Sequence, residues 1–120
     1  QTLASIGNRS AVIPIGESYN KIFKEINLAA FNEDDDPTFD VRFSAIKALG
    51  KLKSDDGIET LKNGLDDPNS IIVRESIVSL LQIKSPKAVP ALKKALEISN
   101  KSFPGFMRKI EGAIVDCKMN

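Results

Sequence analysis

A chain of 120 residues that is 42% apolar and 28% charged has the balance of one folded domain with its own core, and a formal net charge of +1 argues against a dedicated nucleic-acid binder, which carries a basic stripe. No apolar run approaches the roughly 20 residues of a membrane span, and the first residues, Gln1-Thr2-Leu3-Ala4-Ser5, lack the basic-then-apolar layout of a signal peptide. The absence of histidine removes the commonest general base and the commonest zinc and iron ligand, and the lone Cys117 has no internal disulfide partner, so a reducing cytoplasm is the expected setting.

The sequence repeats itself along its length. Ile6-Gly7-Asn8-Arg9-Ser10-Ala11-Val12, Leu52-Lys53-Ser54-Asp55-Asp56-Gly57-Ile58 and Ile83-Lys84-Ser85-Pro86-Lys87-Ala88-Val89 share one template, a turn followed by an apolar pattern. Asp35-Asp36-Pro37 returns as Asp66-Asp67-Pro68, and Val41-Arg42 returns as Val73-Arg74 and more faintly as Met107-Arg108.

In chain order, residues 3–6 match the tail of a first helix, and the template then predicts a turn over residues 6–12. Between Gly16 and Asp36, Tyr19, Ile22, Phe23, Ile26, Ala29 and Ala30 keep helical spacing, which predicts one longer helix or two, ending in the acidic run Glu33-Asp34-Asp35-Asp36. Asp36-Pro37 opens the next helix, with Asp as N-cap and Pro at the first helical position, and its apolar face reads Val41, Ala45, Ala48, Leu49 and Leu52. A second helix opens at Asp55 with Ile58, Leu61 and Leu65. The following pair repeats this plan, with Val73, Ile77, Leu80 and Leu81 on its first helix and, from Ser85-Pro86, Val89, Leu92 and Leu96 on its second. Residues 99–105 read as a loop pinned to the stack by Phe103 and Phe106, and Met107, Ile110, Ile114 and Cys117 form the face of a last helix.

No helix of this kind buries its stripe alone, whereas stacked pairs bury a continuous core. The expected fold is therefore all-α, an α-solenoid of stacked antiparallel helix pairs in one domain over residues 1–120. Its units are approximately residues 1–35 (partial and longer), 36–66, 67–98 and 99–120 (partial). Both ends look cut within a repeat, so either a fragment of a longer array or a chain whose ends meet a partner is expected.

Asp66-Asp67-Pro68, Val73-Arg74, Ile77, Leu80-Leu81, Ile83 and Ala88-Val89-Pro90-Ala91-Leu92 resemble the short HEAT-like repeats first named for phycobilisome lyases, and Val41-Arg42, Ala45-Ile46, Ala48-Leu49-Gly50 and Leu52 resemble them more closely still. The resemblance spans almost the whole chain and is specific for the repeat type, much less so for function. It implies a non-catalytic protein-binding scaffold. Its sharpest implication is a phycobilin:phycobiliprotein lyase-type subunit or chaperone, which would hold a bilin transiently and work beside a phycobiliprotein or a paired HEAT-repeat subunit. The alternative is a general scaffold or regulatory module with no pigment role, and an enzyme with its own catalytic residues comes third. Deoxyhypusine hydroxylase, which shares such repeats, needs paired His-Glu iron ligands, and this sequence has no histidine.

Several residues carry two readings. Asp36, Arg42, Asp67, Arg74 and Arg108 read as helix caps and as a ladder between units in preference to a charged site. Cys117 reads as a core thiol, with no histidine to activate it as a nucleophile. The acidic run reads as a solvated connector, since it lacks the interleaved spacing of a calcium loop. Lys62, Lys93 and Lys94, with Lys21 and Lys24 continuing the row, are either ordinary solvated lysines or a weakly basic groove for an acidic protein surface or bilin propionates. Phe39 and Phe43 read as packing residues, with Phe43 as a pigment- or partner-facing aromatic in the minority reading. No catalytic residue, metal site, resident cofactor, nucleic-acid partner or membrane partner is expected.

Overall fold

Apolar residues spaced three to four apart give each segment one stripe to bury, and the segments satisfy this by packing on one another. The computed structural model describes residues 2–119, with side chains from residue 11 to residue 117. Among the described residues there are six α-helices and no strand: α1 (Thr2–Glu25), α2 (Phe39–Leu52), α3 (Ile58–Gly64), α4 (Ser70–Ile83), α5 (Val89–Ser102) and α6 (Met107–Met119). Single 3-10 turns at Leu28–Ala30, Asp55–Gly57, Pro86–Ala88 and Pro104–Phe106 lie between them.

The α2–α3 and α4–α5 pairs are built alike. Each first helix ends on a lysine in the left-handed region, Lys53 and Lys84, both at φ 53°. A serine follows, and its hydroxyl accepts a backbone N–H two residues on: Ser54 from Asp56 at 3.2 Å and Ser85 from Lys87 at 3.2 Å. These caps start the 3-10 turns that feed α3 and α5.

Ile46, Leu49, Leu61, Ile72, Ile77, Leu80, Leu92 and Ile110 are fully buried, and they belong to one core that also takes in Val12 and Tyr19 of α1. The broadest contacts join α2 to α4, α1 to α2 and α5 to α6. The molecule measures 42 × 35 × 16 Å, and its thin dimension matches two layers of helices at the usual separation of about 8–10 Å. No described helix is long and apolar enough to cross a membrane.

Four sequence expectations are corrected. The turn predicted over residues 6–12 is helix, because α1 runs unbroken through that segment and past Pro14. The spaced positions Val12, Tyr19 and Phe23 make one stripe against the core, and that burial outweighs the local turn signal of Gly7-Asn8. The side chains of residues 3–6 lie outside the described residues. Val41, placed on the inner face of α2, is 51% exposed, because the buried face is centred on Arg42, Ile46 and Leu49. The loop expected over residues 99–105 shrinks to the Phe103–Phe106 stretch. α5 continues to Ser102 because Ser99 extends the buried face of Ala91, Leu92 and Ala95. Finally, α2 begins at Phe39 rather than at Asp36-Pro37, because the Asp36 carboxylate is taken up by Arg42 and Asn69; the turns into the second helices start at Asp55 and at Ser85-Pro86, where the sequence places them.

Close helix crossings depend on small residues. A Cβ at Gly50 of α2 would fall 2.7 Å from the Cβ of Ser79 and 2.8 Å from Oε1 of Gln82, both on α4. Ser79 there donates across the crossing to the Ile46 carbonyl at 3.0 Å. Gly112 of α6, by contrast, has nothing within 4 Å of an added Cβ. Gly50→Ala is therefore expected to lower stability by about 1–3 kcal/mol through overpacking. Gly112→Ala is expected to raise it by about 0.5–1 kcal/mol through helix propensity. Equilibrium denaturation of the two variants checks both signs.

Candidate functional site

The turn before α2 carries Asp36 and the turn before α4 carries Asp67, and stacking of the two helices brings both carboxylates to Arg42. Arg42 is 0% exposed. Its Nε donates to Asp67 Oδ2 at 3.0 Å and its Nη2 to Asp67 Oδ1 at 2.6 Å, a two-pronged pairing. Its Nη1 donates to Asp36 Oδ1 at 2.7 Å and to Thr38 Oγ1 at 2.9 Å.

The network extends outward from these carboxylates. The Tyr19 hydroxyl of α1 donates to Asp67 Oδ2 at 2.7 Å. The Asn69 backbone N–H donates to Asp67 Oδ1 at 2.9 Å, and its side-chain amide donates to Asp36 Oδ2 at 3.0 Å. Asn69 also caps α4, accepting from the Ile71 N–H at 2.9 Å. Next to it, Glu33 takes the backbone N–H of Ser70 at 3.0 Å and its hydroxyl at 2.8 Å, which places a carboxylate at the positive end of α4. Three helices and two turns, from three successive units, therefore meet at one cluster.

Burial and hydrogen bonding act against each other on Arg42 and Asp36. Burial works against the Arg42 charge, but the hydrogen bonds it donates to Asp67 and Asp36 outweigh it and raise its pKa. Burial likewise raises Asp36, yet its bonds from Arg42 and Asn69 leave the carboxyl below its ordinary value. Glu33 is lowered by the Ser70 backbone and hydroxyl. Burial, then the bond to Asp67, pushes Tyr19 well up. With Arg42 making four bonds and both Asp36 oxygens occupied, the cluster is a joint between units, not a centre for proton transfer.

The other expected ladder members take no part in it. Arg74 is exposed, and its guanidinium stands 5.9 Å over the ring of Phe106, which forms an edge-on pair with Phe103 at 6.4 Å. Arg108 is exposed on α6. Asp36 and Asp67 spend their carboxylates on Arg42, and capping of α4 falls to Asn69. The next turn along the chain presents Phe103-Pro104 where the earlier turns present Asp-Pro, so Arg74 meets an aromatic ring instead of an acid.

The lysines are spread over three helices. Lys21 and Lys24 line an open depression of about 470 Å³ together with Glu17, Asn20 and Glu25. Asn20 accepts from the Asn63 amide at 3.1 Å, tying α1 to α3 beside the half-buried Lys62. Lys94 is paired with Asp66 at 2.6 Å, and Lys93 is exposed. Phe43 stacks on Phe39 at 5.4 Å against the core. Cys117 is 1% exposed, and burial followed by Asp116 pushes its thiol up, away from thiolate chemistry. Among the described residues no group of His, Cys, Asp or Glu is arranged to hold a metal ion.

Tyr19 and Asn69 were legible only in part from sequence. A lone tyrosine in an apolar stripe needs a partner for its hydroxyl, and Asn two residues after Asp67 is a strong N-cap. Their convergence on the same carboxylates depends on the stacking of α1, α2 and α4.

Helix pairs of one design, cross-linked by a buried ion cluster, define an all-helical repeat protein. The family model of HEAT repeats matches residues 27–103, and the chain belongs to that family. No curated protein and no solved structure is found to match it.

Removing Arg42 leaves Asp67 and Asp36 buried without a counter-charge. Arg42→Ala is expected to cost about 3–5 kcal/mol, against less than about 1 kcal/mol for Arg74→Ala at its exposed ring contact. Denaturant midpoints of the two variants check the difference. The depressed carboxyls of Asp36 and Glu33 add stability that is complete above the ordinary carboxylate value of about 4 and is lost as pH falls through their lower folded values. The melting temperature should therefore drop on acidification below about pH 4, and Glu33→Gln should flatten that drop.

Proposed function

We propose that this chain is a scaffold that recognises another protein on an extended surface of an α-solenoid, without catalytic residues of its own. The observation that carries this reading is the coincidence of the HEAT match over residues 27–103 with helix pairs held rigid by the Arg42 cluster, since stacked repeats offer a broad preformed surface. Exposed apolar side chains at Ile13, Leu28, Val41 and Ile71 supply contact area on that surface.

A photo-crosslinking residue placed at Lys21, Val41 or Lys93, each exposed, tests it in extracts of the source cells. A single discrete adduct, formed from one face and competed by unlabelled chain, is expected. Absence of any discrete adduct from all three positions overturns the reading.

The narrower reading, a subunit of bilin-lyase type, is supported by the resemblance of its repeats and by Lys21 and Lys24 in one open depression, where the propionates of a bilin would find cations. Titration with phycocyanobilin, followed by absorbance, is expected to give a saturable spectral shift that Lys21→Glu with Lys24→Glu abolishes. A flat titration removes the pigment role and leaves the scaffold.

A further inference from the structure

A separate pocket of about 270 Å³ opens between the C-terminal end of α1, the Leu28–Ala30 turn and the segment leading into α2. Its walls are apolar, with Ile22, Ile26, Phe31 and Pro37 among them. Three carboxylates line it as well, Glu25, Asp35 and Asp36, and no lysine or arginine does. The chain's net charge is only +1, so this sign bias is local. Asp36 is already committed, with one oxygen on Arg42 and the other on Asn69. Glu25 and Asp35 are exposed and pair with no cation among the described residues.

We propose that this pocket receives a basic side chain, an arginine in preference to a lysine, next to an apolar residue on a peptide segment of a partner protein. The proposal rests on the reading of the chain as a partner-binding scaffold and gives that partner a chemistry. Composition favours arginine. Its alkyl stem suits the isoleucine walls, and a guanidinium, which stacks on aromatic rings and forks to carboxylates, suits a lining that holds Phe31, Glu25 and Asp35. A hydrated divalent cation would use none of the apolar wall, and the carboxylates are not arranged to converge on a metal.

The test is a titration of the isotope-labelled chain with acetyl-Phe-Arg-amide, read by amide chemical shifts. The neutral isostere acetyl-Phe-citrulline-amide and calcium chloride are titrated separately. Saturable shifts confined to residues 22–38 are expected. Replacing arginine by citrulline, or using the double variant Glu25→Gln with Asp35→Asn, should weaken binding by about ten-fold, the scale of a hydrogen bond to a charged group. Both substituted side chains are exposed, so an unchanged melting temperature serves as the folding control.

No saturable shift at millimolar peptide, equal binding of the citrulline peptide, or binding that survives the double variant each overturns the proposal. So does saturation of the same amides by calcium with no response to the arginine peptide. A silent peptide titration alongside a discrete cross-linked adduct removes this pocket and leaves the scaffold reading intact. Absence of both removes the scaffold reading as well.

Discussion

Arg42 carries a full charge with no contact with water, and the stacking of the first two helix pairs depends on how that charge is met. Removing a guanidinium from solvent costs several kcal/mol, which only close, well-directed acceptors offset. Asp36 supplies one from the same unit and Asp67 two from the next, so the pairing is satisfied only when α2 and α4 lie in one register. Hydrophobic burial alone would tolerate sliding between two aliphatic faces, whereas a two-pronged ion pair does not. Tyr19 extends the same restraint to α1, and Asn69 couples it to the start of α4, so orientation and helix initiation are set at one place.

The small-residue crossings act on the same interface from the other direction. Gly50 lets α2 approach α4 until the Ser79 hydroxyl reaches the Ile46 carbonyl, and Gly64 lets α3 lie close against Ser76 of α4, whose hydroxyl bonds back to the Ile72 carbonyl of its own helix. Close approach and a directional charge pair make the junction stiff. A stiff junction keeps surface features such as the acidic pocket and the Lys21–Lys24 depression at fixed positions relative to the repeats. For the proposed scaffold role this has a direct benefit, because a partner meeting a preformed surface would not have to order it first.

The helix-pair plan was largely legible in the sequence, because period and turn chemistry agree at Lys53-Ser54 and Lys84-Ser85 and the apolar faces of α3, α4 and α5 follow the spacing directly. It was least legible where tertiary contacts override local signals. Gly7-Asn8 carries the chemistry of a turn, yet lies within α1. Val41 reads as apolar and inward, yet Arg42 takes the inward place because its charge is matched. The Asp-Pro and Val-Arg repeats marked Arg42, Arg74 and Arg108 as equivalents, and nothing in those dipeptides distinguishes them. The difference comes from what the following turn offers: Asp67 to Arg42, and Phe106 to Arg74. The pocket near Phe31 could not be foreseen from spacing, since it forms where three connecting segments meet.

The paired left-handed lysines have a consequence for how the molecule responds to its medium. Lys53 and Lys84 hold backbone angles that glycine adopts at least cost, and each places a positive charge at the C-terminal end of its helix, where the helix dipole is negative. Ionic strength acts on only one side of that balance, because salt screens the attraction of an exposed ammonium to the helix end but leaves the steric cost of the backbone angle unchanged. The two hairpin turns are thus better compensated in dilute buffer than in brine, and since they occupy equivalent positions in consecutive units, they would loosen together.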